Sequence, residues 1–240
     1  LPDGRSLHGI NDASIRIGLR LSKDETIVRM PFEVRHMGSK YPIFSFDFTG
    51  AKRGVLPASY DYLPLEGRMQ YRLNLPPIGY SQLMLEGGKI FGKVPYLLLK
   101  LHEGNGTYFY DRYAFSCMNF YEFSSDAWIS FFYEHHFNGF LLGRVPLLKK
   151  LNWREVFVFK GVYGTLSARN DGSLPNTKAV MLFPVGMSSV EHPYLETGFG
   201  IENIFRLLRV DCIWRLTHHR AVPGLSIPTF TVNFSLNLKF

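Results

Sequence analysis

Apolar and polar residues alternate one for one along most of this chain. Ile15, Ile17, Leu19 and Leu21 alternate with Arg16, Gly18 and Arg20, and Val28, Met30, Phe32 and Val34 alternate with Arg29, Pro31, Glu33 and Arg35. Phe44, Phe46 and Phe48 flank Ser45 and Asp47, while Met69, Tyr71, Leu73 and Leu75 interleave with Arg68, Gln70, Arg72 and Asn74. A period of two sends successive side chains to opposite faces of a strand, which a helical repeat cannot do. Further segments at 80–91, 107–119, 127–138, 153–168, 192–200 and 205–218 lead to a closing strand at 229–240. About eleven strands are predicted in all. Pro31 cannot donate to a ladder, so the strand at 26–36 is expected to bulge there.

Many of these segments run to about 10 residues, the length a tilted strand needs to cross a bilayer and roughly double the globular norm. Charge placement points the same way. An Arg or Lys on the lipid face of a barrel costs roughly 2 to 4 kcal/mol near the midplane. The apolar faces of 12–22, 26–36, 68–75 and 229–240 carry no charge. The pattern therefore predicts an all-β fold, an antiparallel transmembrane β-barrel of the outer-membrane kind, with residues 1–240 in one domain. On the terminal strand Val232, Phe234, Leu236 and Leu238 would face lipid, with Phe240 at the periplasmic rim. The polar face, with Arg16, Arg20, Arg68, Arg72, Arg209, Asp211 and Arg215, would line the lumen as a salt-bridge network. A terminal aromatic on such a strand resembles the signal by which outer-membrane assembly machinery receives its clients. A soluble β-sandwich would carry the same alternation with its polar face outside.

Connectors divide by length. Lys23-Asp24-Glu25 and the neighbourhood of Glu202-Asn203 are tight, whereas 170–191 and 219–228 are long and rich in Gly, Pro, Ser and Asn. Placing the C-terminus in the periplasm makes the two long ones external. By the same count 92–106 and 139–152 are periplasmic although long, and each carries Val-Pro followed by leucines. Residues 146–151 fit either a short amphipathic helix at the interface or a loop whose leucines plug the barrel end. Strand 12–22 then runs inward, and because single-chain bacterial barrels have even strand numbers, further strands and a periplasmic domain are expected upstream of Leu1.

Composition narrows the classes. The chain is 46% hydrophobic and 15% aromatic, yet its mean hydropathy is only −0.04. No apolar run approaches the ~18 to 20 residues of a membrane-spanning helix. The net charge of +7 raises nucleic acid as a partner, but the basic residues are scattered along strands and turns rather than gathered, so no nucleic acid is expected. Two cysteines are too few for a disulfide framework. Cys212 falls in register with Leu208, Val210, Trp214 and Leu216, and Cys117 with Tyr113 and Phe115, on strands about four apart. A bond between them needs Cα atoms within ~7 Å, so two buried thiols are expected.

Candidate chemistry is sparse. In Glu134-His135-His136 the two imidazoles point to opposite faces of a strand and cannot share an ion, and the HExxH spacing is absent. Ser188, Ser189, Glu191 and His192 lack a nucleophile elbow. No catalytic, cofactor or metal site is predicted. Trp128, Trp153 and Trp214, with Tyr108, Tyr110 and Tyr133, are expected to form interfacial girdles.

Three stretches carry a family resemblance: GKVPYLLLKLHEGNGTYFYDRYAFSCMNFYEF, HHFNGFLLGRVPLLKKLNWREVFVFKGVYGTLSARN and YLETGFGIENIFRLLRVDCIWRLTH. They resemble the C-terminal barrel of a Bacteroidota outer-membrane family in which a carboxypeptidase-regulatory-like domain precedes a large barrel. The resemblance covers roughly residues 85–240. It implies a bacterial outer-membrane location and a distant similarity to the surface-antigen barrels of assembly and secretion factors. Neither the Val-Arg-Gly-Phe motif nor polypeptide-transport-associated repeats are present, so insertase activity does not carry over, and no peptidase motif supports peptidase chemistry. The expected role is a non-enzymatic scaffold or accessory subunit in outer-membrane protein assembly or surface-protein export. Its partners would be outer-membrane lipid, other outer-membrane proteins and the barrel-assembly machinery. A channel or transporter, and a soluble β-sandwich binding module, are the alternatives.

Overall fold

The computed structural model describes residues 9–55, 57–173, 178–219 and 226–236. Among the described residues there are fourteen strands: β1 (Ile15–Leu21), β2 (Thr26–Arg29), β3 (Val34–Gly38), β4 (Ile43–Gly50), β5 (Tyr62–Leu75), β6 (Gly79–Gly92), β7 (Lys100–Leu101), β8 (Phe123–Ser125), β9 (Ala127–His136), β10 (Arg154–Thr165), β11 (Ser188–Ser189), β12 (Tyr194–Ile204), β13 (Leu208–Arg215) and β14 (Phe230–Leu236). Helix among these residues is confined to one α-turn, α1 (Pro146–Lys149), and two 3-10 turns. The fold is all-β and mostly antiparallel, as the period of two predicted.

Nine strands form one sheet in the order β1-β4-β5-β6-β9-β10-β12-β13-β14, each antiparallel to its neighbours. Two of the eleven expected strands lie outside it. Segment 26–36 is not one bulged strand but a hairpin of β2 and β3, with Met30 donating to the Glu33 carbonyl across Pro31. Segment 107–119 forms no strand at all; it belongs to an irregular excursion, 102–122, that lies against one face of the sheet. Its loss from the count moves the preceding connector. Residues 93–126 now join β6 to β9 at the same end as the β4–β5, β10–β12 and β13–β14 connections, while 22–42, 76–78, 137–153 and 205–207 lie at the opposite end. The connector expected to be long and periplasmic, 92–106, is thus part of a long one on the other side.

Among the described residues β1 and β14 do not pair with each other, so the nine strands form an open sheet where a closed barrel was expected. The edge of β14 is partly covered by the excursion. Tyr110 donates to the Phe234 carbonyl at 2.8 Å and Phe234 donates to Tyr108 at 2.7 Å. Leu238 and Phe240 of the predicted lipid-facing stripe lie outside the described residues.

The two faces of the sheet are inverted relative to a water-soluble protein. On one face Ile17, Ile129, Phe199 and Trp214 are 66%, 48%, 59% and 41% exposed. On the other, Glu134, Lys160, Glu196 and Asp211 are no more than 1% exposed. The pairing registers put Phe44, Phe46 and Phe48, Leu63 and Leu73, Phe157, and Val232, Phe234 and Leu236 on the apolar face. Only Lys89 and Glu155, both toward strand ends, place a carboxylate or ammonium there among the described strand residues.

The covered face holds two apolar clusters beneath the excursions. Met84, Phe115, Met118, Phe123, Phe132, Val162, Val190 and Tyr194 form one. Tyr62, Ile90, Val94, Leu99 and Trp128 with Ala51 and Ala58 form the other. Gly88 permits the second: a Cβ there would stand 2.6 Å from the Trp128 ring and 2.7 Å from the Leu65 carbonyl. Trp128 and Tyr110 therefore sit on the covered side, not in an outer girdle, whereas Trp214 faces outward.

Candidate functional site

Adjacent strands at the middle of the covered face present Lys160, Glu196 and Arg215 side by side, because Lys160 pairs with Glu196 and Glu196 with Arg215 in the ladders. All three side chains reach up and hold the excursion by its backbone. The Glu196 carboxylate accepts from the N–H groups of Ser116 and Cys117 at 2.8 and 2.7 Å, and from the Tyr194 hydroxyl at 2.6 Å. The Lys160 ammonium donates to the carbonyls of Asp111 and Ala114 at 2.8 and 2.5 Å. Arg215 donates to the Cys117 carbonyl at 3.2 Å and pairs with Glu122 at 2.5 Å. Peptide groups that would otherwise pair in a strand are satisfied here by charges, which is how an irregular segment can be buried at all.

Nearer the other end, Glu134 receives Tyr110, Arg112 at 2.9 Å and Arg209 at 3.2 Å, and Arg209 also grips Asp211 at 2.8 Å. His136 completes this cluster between Glu134 at 3.4 Å and Glu202 at 3.2 Å. Its neighbour His135 turns to the opposite face, meeting Ser81 at 2.8 Å and the Ile78 carbonyl at 3.0 Å. A buried ion pair returns its desolvation cost only when every remaining donor and acceptor is engaged, and this cluster is densely engaged.

Among the groups of the excursion shifted by their surroundings are Cys117 and His102. Burial, then the Glu196 charge, pushes the Cys117 thiol up to about 12. Burial, then the Lys100 ammonium, lowers His102 to about 3, and its Nε2 meets Ser125 at 2.9 Å.

The residues singled out as a polar network share one face of the sheet but fall into two groups. Arg209, Asp211 and Arg215 are buried under the excursion. Arg16, Arg20, Arg68 and Arg72 lie on the uncovered half, where Arg16 pairs with Asp47 at 2.9 Å, Arg20 with Glu25, Arg68 with Glu86 at 2.6 Å, and Arg72 stacks over Tyr80 at 4.1 Å. Sequence reasoning missed Lys160, Glu196, Glu122 and Arg112. The unpartnered charge at Lys160 and Glu196, amid otherwise small or apolar strand positions, was the available signal. Cys117 and Cys212 are both free, but only Cys117 is buried; Cys212, expected to be buried as well, is half-buried on the outward face. Cys117 lies on the excursion, not a strand, with Sγ 3.6 Å from the Ile213 carbonyl.

Ser189 lies 3.5 Å from Glu191, and the His192 carbonyl, not its ring, meets the His218 side chain at 2.8 Å. Among the described residues no group of three or more His, Cys, Asp or Glu is placed to hold a metal ion. No helix among them is long and apolar enough to cross a membrane, which says nothing of strands.

No curated protein matches this chain. A family model does, over residues 8–168, and so covers the N-terminal strands and stops before the third of the stretches quoted for the resemblance. That model is the C-terminal domain of DUF5686, described as a family of unknown function, and with well over half its length matched the chain belongs to that family.

Proposed function

We propose that the chain is wall and filling of an outer-membrane β-barrel, a non-enzymatic scaffold or accessory subunit whose lumen is occupied by its own residues 102–122. The inverted burial carries this proposal. Exposed Phe, Leu, Ile, Tyr and Trp run across all nine strands of one face, where soluble monomers confine exposed apolar patches to a few hundred Å², while the charges are inside and paired. Lipid on the apolar face satisfies both. A sandwich would need a second layer on that face, and none of the described elements supplies one. A wall in lipid cannot leave the edge of β1, or the part of β14 that the excursion does not cover, without hydrogen-bond partners, so this reading requires further pairing at both edges. Assembly of outer-membrane proteins or surface-protein export is the favoured process, by family resemblance, with the periplasm at the end of the tight turns.

Phe199→Arg tests the wall. Position 199 is central in β12 and outward, so the charge should cost roughly 2 to 4 kcal/mol in a bilayer and sharply lower the membrane-assembled fraction. A variant that accumulates as a soluble monomer at parental yield would refute the membrane placement. A second role, anion conduction, draws on the uncovered Arg16, Arg20, Arg68 and Arg72. Steady anion-selective current from the reconstituted protein would establish it in place of the filled scaffold.

A further inference from the structure

The half of the polar face that the excursion leaves uncovered holds a trough of about 1010 Å³, walled by the 22–42 connector and by Arg112 and Tyr113 of the excursion. That volume stands at the upper end of ligand sites, roughly 300 to 1,000 Å³. Gln70, Arg72 and Asn74 of β5 and Gln82 of β6 form its floor, since alternation puts all four on the polar face. Three lining side chains are cationic, Lys40, Arg72 and Arg112, against the single carboxylate of Asp24. His36, also in the wall, is engaged by Glu25 at 3.1 Å.

Arg72 is held in an unusual way. Arg16 and Arg68, on the same half, are spent on Asp47 and Glu86. Among the described residues Arg72 has neither a carboxylate partner nor a hydrogen-bond acceptor. Its guanidinium instead lies 4.1 Å over the Tyr80 ring, and Tyr80 stacks on His136 with centroids 4.5 Å apart and planes 10° apart. His136 is itself fixed between Glu134 and Glu202. A guanidinium positioned by stacking keeps its five N–H donors for another acceptor. The Arg112 charge reaches the same Tyr80, so both guanidiniums stand near one ring, and Arg112 gives its Nε to Glu134 at 2.9 Å. The acids behind them, Glu134 and Glu202, are buried and paired. Lys40 has no ion-pair partner among the described residues.

We propose that this trough binds a hydroxylated organic anion, of the chemical class of sugar acids and sugar phosphates. Arg72, Arg112 and Lys40 take the carboxylate or phosphate, whose paired oxygens match a guanidinium fork. The amides of Gln70, Asn74 and Gln82 both donate and accept, as hydroxyl groups do, and they take the rest of the molecule. The inference goes beyond the wall and its filling and requires no lipid. Equilibrium dialysis of the full chain in neutral detergent tests it with glucuronate, glucose 6-phosphate, glucose and inorganic phosphate. The two organic anions should bind at least about tenfold more tightly than glucose or phosphate, from the typical worth of a hydrogen bond to a charged group. Arg72→Gln should weaken both by about tenfold or more, and Arg72→Lys, which keeps the charge but not the fork, should recover only part of the loss. Lys40→Gln should weaken them by a smaller factor, and Lys52→Gln, at the opposite end, should change nothing. Failure of both organic anions to bind, glucose binding as tightly as glucuronate, or parental affinity in Arg72→Gln would each overturn the site and leave the wall to the Phe199→Arg test. Inorganic phosphate binding as tightly as glucose 6-phosphate would overturn the organic solute in favour of a bare-anion site.

Discussion

Glu196→Gln in a Cys212→Ser background should release the excursion and expose Cys117. In the parent, Glu196 Oε1 accepts from the Cys117 N–H and the Tyr194 hydroxyl, and Oε2 accepts from the Ser116 N–H. Glutamine keeps one oxygen. Its amide nitrogen then opposes the Ser116 N–H, donor against donor, and the two surviving bonds lose their charge assistance. With about 1.5 to 3 kcal/mol for each bond to a charged group, the loss is on the order of 3 kcal/mol, or roughly a hundredfold in the local opening equilibrium. Cys117 is fully buried in the closed state, so a maleimide reaches it only through that opening, and the labelling rate at fixed pH reports the equilibrium directly. The solvated thiol of the open state governs the chemistry, so the raised native pKa does not enter the ratio. An unchanged labelling rate, with the denaturant midpoint also unchanged, would refute the role given to Glu196.

His102 makes stability fall on acidification. Its folded pKa of about 3 lies below the unfolded value of about 6.5, so the unfolded chain takes the proton first. Stability from this group is complete above about pH 7 and drains as pH falls from 6.5 toward 3, at about 1.4 kcal/mol per pH unit. Urea midpoints measured in detergent at neutral and mildly acid pH should separate, and His102→Gln should shrink the gap; a parental midpoint indifferent to pH contradicts this. Gly88→Ala should cost about 1 to 3 kcal/mol by overpacking against Trp128 and the Leu65 carbonyl, read as a lowered midpoint with a shifted Trp128 emission. An alanine variant as stable as the parent would show that the ring does not pack there.

Strand content and the sidedness of each strand were legible because both are local. Alternation at 15–21, 44–48, 68–75 and 230–236 sets which side chains share a face whatever the neighbours are, and exclusion of charge from one face is visible residue by residue, although β5 begins six residues earlier, at Tyr62. The free state of both thiols was legible for a similar reason, although Cys117 was placed on a strand that does not exist. The holding site was not legible. Lys160, Glu196 and Arg215 are 36 and 19 residues apart along the chain, and only the β10–β12 and β12–β13 registers bring them abreast.

What the sequence by itself determined is the period, and with it an all-β chain having one apolar and one charged face. What only the tertiary structure decided is which alternating segments join the ladder. Segment 26–36 folds back as a hairpin because Pro31 has no N–H to give a neighbouring strand. Segment 107–119 also reads as a strand, yet its peptide groups are met by a carboxylate, an ammonium and a guanidinium rising from three strands beneath it. Backbone hydrogen bonding must be satisfied somewhere, but the partner can be a distant side chain as readily as an adjacent strand, and no local pattern distinguishes the two.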